Sequence, residues 1–266
     1  MRRSSAKCVV AILLVLGVAL SATTLPGTAR GERSRVGNLL GTLNGGVTPL
    51  ALPRAHPAPV TVDLEGKIAT TDGAPLPQVK QVKLELAGPG VISTAGLPVC
   101  PQGRIQHADD RQALNRCGSA LVGRGTLDAE VDIQNQAPFA IHAHLLAFNG
   151  RTAVGRTAVW VHAFASDPPI SLVLPFVMHP GGAGFPTVLV AAVPRSVGPL
   201  PRLALFHLQF FRRFRYQGAL RSYVSASCPV PPAFTAGFLA FARATFAFGD
   251  GRRVRVETVR SCRASH

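Results

Sequence analysis

Charged residues are scarce in this chain of 266, at 15% against 47% hydrophobic. That balance excludes a disordered chain, which cannot bury enough apolar surface to offset its conformational entropy, and predicts a sizeable core. Acidic residues are scarcer still, 13 against 28 basic. Long apolar runs are missing after the first twenty or so residues, so no later helix is expected to span a bilayer. No Cys-x-x-Cys pair occurs, which leaves cysteine-held metal without its usual spacing. No Gly-x-Ser-x-Gly elbow occurs either, so an α/β-hydrolase nucleophile has no motif to sit on.

What is present begins with a targeting segment. Arg2, Arg3 and Lys7 precede an apolar run from Cys8 to Leu20, too short for a membrane span. Small residues follow, and the expectation is a signal peptide over residues 1–29, cleaved after Ser21, Ala22 or Ala29. The Arg2-Arg3 pair lacks the rest of a twin-arginine signal, and no lipobox-like pattern precedes Cys8, so general secretion without lipidation is expected. Removing Cys8 leaves Cys100, Cys117, Cys228 and Cys262. An even set in an exported chain reads as two disulfides. Loop closure favours Cys100–Cys117 and Cys228–Cys262 over nested or crossed pairs.

Residues 30–59, rich in Gly, Pro and small side chains, read as a flexible lead-in. From Val60 the pattern alternates. Strands are expected at 60–64, 79–86, 127–133, 139–148, 158–164, 170–177, 187–193 and 203–216. The last two, 239–248 and 253–259, form a hairpin across Gly249-Asp250-Gly251. Roughly nine to eleven strands with closely spaced turns predict an all-β fold, an antiparallel β-sandwich over 60–266. Pro75-Leu76-Pro77 followed by Cys100-Pro101, and Pro199-Leu200-Pro201 followed by Cys228-Pro229, hint at two similar halves, 60–165 and 166–266. The stretch 97–126 is the one excursion. Asp109 is placed to cap a short helix, with Gln112 three residues on, Asp110 in its first turn and Arg116 in its last. Gly118 would end it in a left-handed conformation, and a Cys100–Cys117 cross-link would hold it.

Leu97-Pro98-Val99-Cys100, Leu121-Val122-Gly123, Leu145 to Gly150, Ser222 to Pro229 and Ala242 to Phe248 resemble a group of secreted actinobacterial proteins of unknown function. The resemblance extends over most of the chain beyond the signal. Its motifs are structural; it implies a secreted β-rich fold and carries over no catalytic residue.

Several clusters carry candidate chemistry. His142 and His144 lie two apart on one strand with His162 on the next, and three imidazoles could hold zinc or copper. Packing beside Trp160 is the plainer account, and no metal or other cofactor is expected. Asp128, Glu130 and Asp132 line one strand face. They read as a solvated face before a calcium site or glycosidase acids, which would need Asp63 or Glu65 as a partner. His107, Asp109, Asp110 and Ser119 include the residue types of a hydrolytic site, but the acids are accounted for as helix-start residues. Arg212, Arg213 and Arg215 interleave with Phe211, Phe214 and Tyr216, a pattern that can stack on nucleic acid. An exported protein rarely meets that partner, and none is expected. Arg213 and Arg215, together with Arg253 and Arg255, are expected to form a basic stripe for an anionic cell-wall polymer or membrane surface. The reading is a secreted, non-catalytic binding or structural module, extracellular or envelope-associated, with a secreted hydrolase of carbohydrate or a related polymer as the alternative.

Overall fold

A computed structural model describes residues 32–131, 138–193 and 202–265. In chain order the elements begin with β1 (Glu32–Val36), β2 (Leu39–Thr48), β3 (Ala51–Pro53), β4 (Ala58–Pro59), β5 (Thr61–Thr70), β6 (Val79–Leu86) and β7 (Gly90–Ile92). The helix α1 (Asp110–Cys117) leads to β8 (Leu121–Val131), β9 (Phe139–Arg151), β10 (Thr157–Ser166), β11 (Pro169–Gly182) and β12 (Phe185–Ala192). The chain ends through β13 (Arg202–Phe210), β14 (Arg213–Tyr216), β15 (Ala219–Ser222), β16 (Val224–Ala226), β17 (Ala236–Phe248) and β18 (Arg253–Ser265).

Thirteen strands form one sheet in the order β1-β2-β5-β13-β8-β9-β10-β11-β12-β6-β17-β18-β3. Every pairing in it is antiparallel except β18 with β3. The fold is all-β with one short helix, as expected, but it is a single curled sheet, a half-barrel, and not a sandwich of nine to eleven strands. Alternation assigns faces to a strand; it does not say whether successive strands share one sheet or divide between two. The sheet curls until the inner faces of its two ends meet. Gly41 on β2 makes the closest approach: a Cβ there would stand 2.5 Å from Val254 Cγ1 on β18. Around this seam the Val259 N–H donates to Glu32 Oε1 at 2.7 Å, and Arg260 donates to Asn44 Oδ1 at 2.6 Å and to the Gly45 carbonyl.

Two further expectations are corrected. The described part of the expected lead-in 30–59, from Glu32 on, is not a flexible linker, because β1 to β4 fall within it and Leu39 and Leu43 are fully buried. Glycine and proline made the segment look like linker, yet Gly41, between those leucines, is what lets β2 press against β18. The two similar halves read at 60–165 and 166–266 interleave in the one large sheet, since β13 lies between β5 and β8, and β6 between β12 and β17. The strand expected at 203–216 as one long bent or bulged element does bulge, between Leu203 and Leu205, but it ends at Phe210, and β14 pairs instead with β15 in a two-stranded sheet. The expected signal segment 1–29, and Pro199-Leu200-Pro201, lie outside the described residues.

A small sheet, β4-β16-β7, closes one end of the curl. On the outer face a second apolar cluster forms where the excursion lies across β9 and β10. Ile105, Ala113, Cys100 and Cys117 pack there on Leu146, Phe148, Trp160 and Val173. The Trp160 indole N–H donates to the Cys100 carbonyl at 2.8 Å. Gly150 gives the ring its room, since a Cβ there would meet Trp160 Nε1 at 2.2 Å. Asp109 caps α1 as expected, accepting from the Gln112 N–H at 2.7 Å. Gly118 does not turn left-handed: its φ is −58°, and the chain runs on into a 3-10 turn over Gly118–Ala120.

Candidate functional site

Both disulfides are those expected. Cys100–Cys117 spans 17 residues and fastens the excursion; Cys228–Cys262 spans 34 and fastens the loop before β17 to the last strand.

The three histidines share the outer face of β9 and β10, but their rings do not converge. His142 Nδ1 lies 2.6 Å from Asp128 Oδ1 and His144 Nδ1 lies 2.8 Å from Asp110 Oδ2. His162 is fully buried, and its Nε2–H donates to the Ala108 carbonyl at 2.8 Å. Among the described residues no three metal-ligating side chains are grouped to hold an ion. The acids that engage these rings come from β8 and from α1, and only strand register and helix docking bring them there.

A serine–histidine–acid array does arise, joining Asp110 of the hydrolytic set to His162 of the metal set through a serine, Ser171, that sequence reasoning did not pick. Ser171 Oγ lies 3.2 Å from His162 Nε2, and Asp110 Oδ1 lies 3.9 Å from His162 Nδ1. Its chemistry is wrong for nucleophilic catalysis. A general base must offer a lone pair to the hydroxyl, whereas Nε2 carries the proton given to Ala108. The Ser171 hydroxyl donates to the Gln106 carbonyl at 3.2 Å. Burial pushes the His162 pKa down, against smaller opposing effects from the Ala108 carbonyl, Asp110 and Asp109. The arrangement fixes the excursion to the sheet.

Asp128 and Glu130 lie on the outer face of β8, and Asp132 lies outside the described residues. Asp63 bonds sideways to His207 at 2.9 Å. Arg213 and Arg215 are exposed on β14, Arg253 and Arg255 on β18. The two pairs belong to different sheets, so no single sheet face carries all four. On the outer face of β18, Glu257 accepts from Arg243 at 2.8 Å, and Arg243 lies over the Phe185 ring at 3.9 Å.

The more enclosed and more apolar of two clefts among the described residues is inside the curl. A cavity of about 180 Å³ runs between the inner faces. Its wall is almost wholly aliphatic and aromatic, with Leu64, Leu84, Leu145, Leu174, Phe206 and Phe241 among its side chains. Register explains the lining. Phe206, Leu208 and Phe210 of β13 face inward beside Gly66, Leu64 and Val62 of β5. Along β8 and β9 the inward positions are Leu127 and Ala129, then Leu145. Ser261 is the one exposed residue in the wall, which places a mouth between the start of β17 and the end of β18. Phe238, 81% exposed, stands beside Ser261 in register there. Composition and alternation foretold an apolar core; they held no signal that the core would enclose space.

Comparison with family models, curated proteins and solved structures returns no match for this chain.

Proposed function

We propose that the chain is an exported, non-catalytic carrier that holds one small apolar molecule, or one short apolar segment of a larger one, inside the curled sheet. The cavity carries this reading. A close-packed interior has few voids larger than a water molecule, and this one is about 180 Å³ with an apolar wall. An apolar cavity of about 150 Å³ stays dry and takes up benzene, so a ring-sized occupant fits. The two disulfides suit an oxidising compartment, in keeping with the targeting segment and the resemblance to secreted proteins. A hydrolase of carbohydrate would use a pair of carboxylates, and the wall of this cavity contains no aspartate or glutamate; a hydrolase working through Ser171 would need His162 Nε2 free to accept a proton, and that atom donates to the Ala108 carbonyl.

The same reading gives the basic balance a place. The segments around the mouth, 48–59, 227–242 and 258–265, include Arg54, Arg260 and Arg263 and no acidic residue. The nearby carboxylate is Glu32 of β1, bonded to the Val259 amide. An anionic membrane or wall polymer is the partner that such a mouth would meet.

Titration with an environment-sensitive apolar fluorophore such as 1-aminoanthracene tests the carrier. Saturable binding at one site is expected. Filling the cavity with Ala129→Leu and Ala226→Leu should weaken it by about tenfold or more, about 1.4 kcal/mol. The circular dichroism spectrum checks that the variant is folded. Absent saturable binding, or binding indifferent to the filled cavity, would overturn the proposal.

A further inference from the structure

Tyr223 stands in the cavity wall, 1% exposed, just before β16. Its backbone is held on both sides: its N–H donates to the Arg212 carbonyl at 2.8 Å, and its carbonyl accepts from the Ser93 N–H at 2.9 Å. Its ring stacks on Phe210, with centroids 6.0 Å apart. Yet the Tyr223 hydroxyl has no hydrogen-bond partner among the described residues. Other buried side-chain atoms of the described residues share that condition, but none of them belongs to a residue of the cavity wall.

A buried tyrosine hydroxyl usually finds a partner, because leaving it unmade forfeits the hydration it had in the unfolded chain. Water is a poor candidate. An ordered buried water needs two to four polar partners, and the wall around Tyr223 is built of side chains such as Phe210, Val224 and Ala226. The other large polar group in the wall, Arg260, is committed to Asn44 and to the Gly45 and Val259 carbonyls at the seam. An anionic head group would lie unpaired in apolar surroundings, at great cost. A neutral oxygen on an otherwise apolar molecule has no such cost.

We infer that Tyr223 Oη is the polar anchor of the cavity, and that the ligand is a neutral apolar molecule bearing one carbonyl or ester oxygen that accepts a hydrogen bond from it. Burial pushes the Tyr223 pKa up, so the phenol keeps its proton and donates throughout the physiological range. The apolar body of the ligand supplies affinity, and the tyrosine supplies orientation and selects oxygen-bearing ligands over plain hydrocarbons. This inference rests on the carrier reading.

The test uses two probes of nearly equal shape, acetophenone and ethylbenzene, titrated calorimetrically into the oxidised wild-type protein and into Tyr223→Phe. The variant should bind acetophenone about tenfold more weakly and ethylbenzene within about twofold of wild type. Its ligand-free Tm should be equal or higher, since an unsatisfied hydroxyl has been removed. Equal effects on the two probes, no effect on either, or a lowered ligand-free Tm would overturn the anchor while leaving the carrier reading intact. Failure of the wild type to bind either probe would overturn both.

Discussion

Replacing Cys100 and Cys117 by alanine tests how the excursion is held to the sheet. The cross-link closes a loop of 17 residues, and the chain-entropy relation gives its contribution to stability as about 3 kcal/mol. Against that stands the apolar surface that undocking would expose. Trp160 is 2% exposed and Ile105 fully buried. A tryptophan buries about 150–250 Å², which at about 25 cal/mol per Å² is about 4–6 kcal/mol. Ile105 adds about 2 kcal/mol, before Phe148 and Val173 are considered. The backbone entropy of a released segment favours undocking with or without the disulfide. What the substitution changes is the smaller quantity, so the excursion should stay docked. Trp160 is the chain's one tryptophan, which makes its fluorescence a direct reporter. In the double variant its emission should stay blue-shifted in dilute buffer, while urea unfolding loses about 3 kcal/mol in a single transition. A red-shifted emission from an otherwise folded variant would show that the cross-link alone holds the excursion. An unchanged unfolding free energy would refute the loop-closure estimate itself.

Two other outcomes are expected. Burial lowers the folded-state pKa of His162, so between that value and the unfolded value of about 6.5 the unfolded chain binds the extra proton. Stability should therefore be full above about pH 6.5 and fall below it, by at most about 1.4 kcal/mol per pH unit from this group. In His162→Gln the acid limb of a Tm-against-pH curve should flatten; an unchanged slope would show that His162 does not set that limb. At the mouth, Phe238→Ser combined with Arg263→Gln should reduce co-sedimentation with anionic phosphatidylglycerol vesicles. Arg213→Glu combined with Arg215→Glu should not, and the reverse pattern would move the contact to β14.

The sequence was most legible where one local interaction decides the outcome. The cap at Asp109, the β17–β18 turn at Gly249-Asp250-Gly251 and the two short-loop cystines each depend on neighbours close in the chain. The Phe248 N–H donates to the Arg252 carbonyl at 3.0 Å and the Arg252 N–H to Asp250 Oδ1 at 3.0 Å, which is turn chemistry readable from three residues. The errors fall where distant segments decide. Leu39, Gly41 and Leu43 look like linker until Val254 and Val256 of β18 are laid over them. Asp110 looks fully used as a first-turn acid until α1 is docked and His144 comes within 2.8 Å of it. Tyr223 carries no pattern at all, because its meaning lies in the absence of a neighbour for its hydroxyl.

The cavity follows from the same facts that hid it. Strands of a closed or nearly closed sheet enclose more space as their number rises, and about eight are enough for side chains to fill the interior. A thirteen-stranded curl therefore needs bulky inward residues, or close contact of its two ends, to avoid a void. This chain takes the second course at only one end. There Gly41 brings β2 onto Val254 and Val256, and Phe246 and Phe248 are buried nearby. Elsewhere in the wall, Ala129 of β8 and Ala226 of β16 sit among larger residues that border the cavity. Alternation cannot reveal this, since alanine and leucine both read as inward apolar positions. The distinction lies in volume. An Ala129→Leu substitution in a packed core would strain its neighbours by about 1–3 kcal/mol, whereas in this wall the added methyl groups enter free space. The ligand-free Ala129→Leu protein should accordingly unfold at the same temperature as wild type or a higher one. A fall of several degrees would mean that the space between the inner faces is already closed.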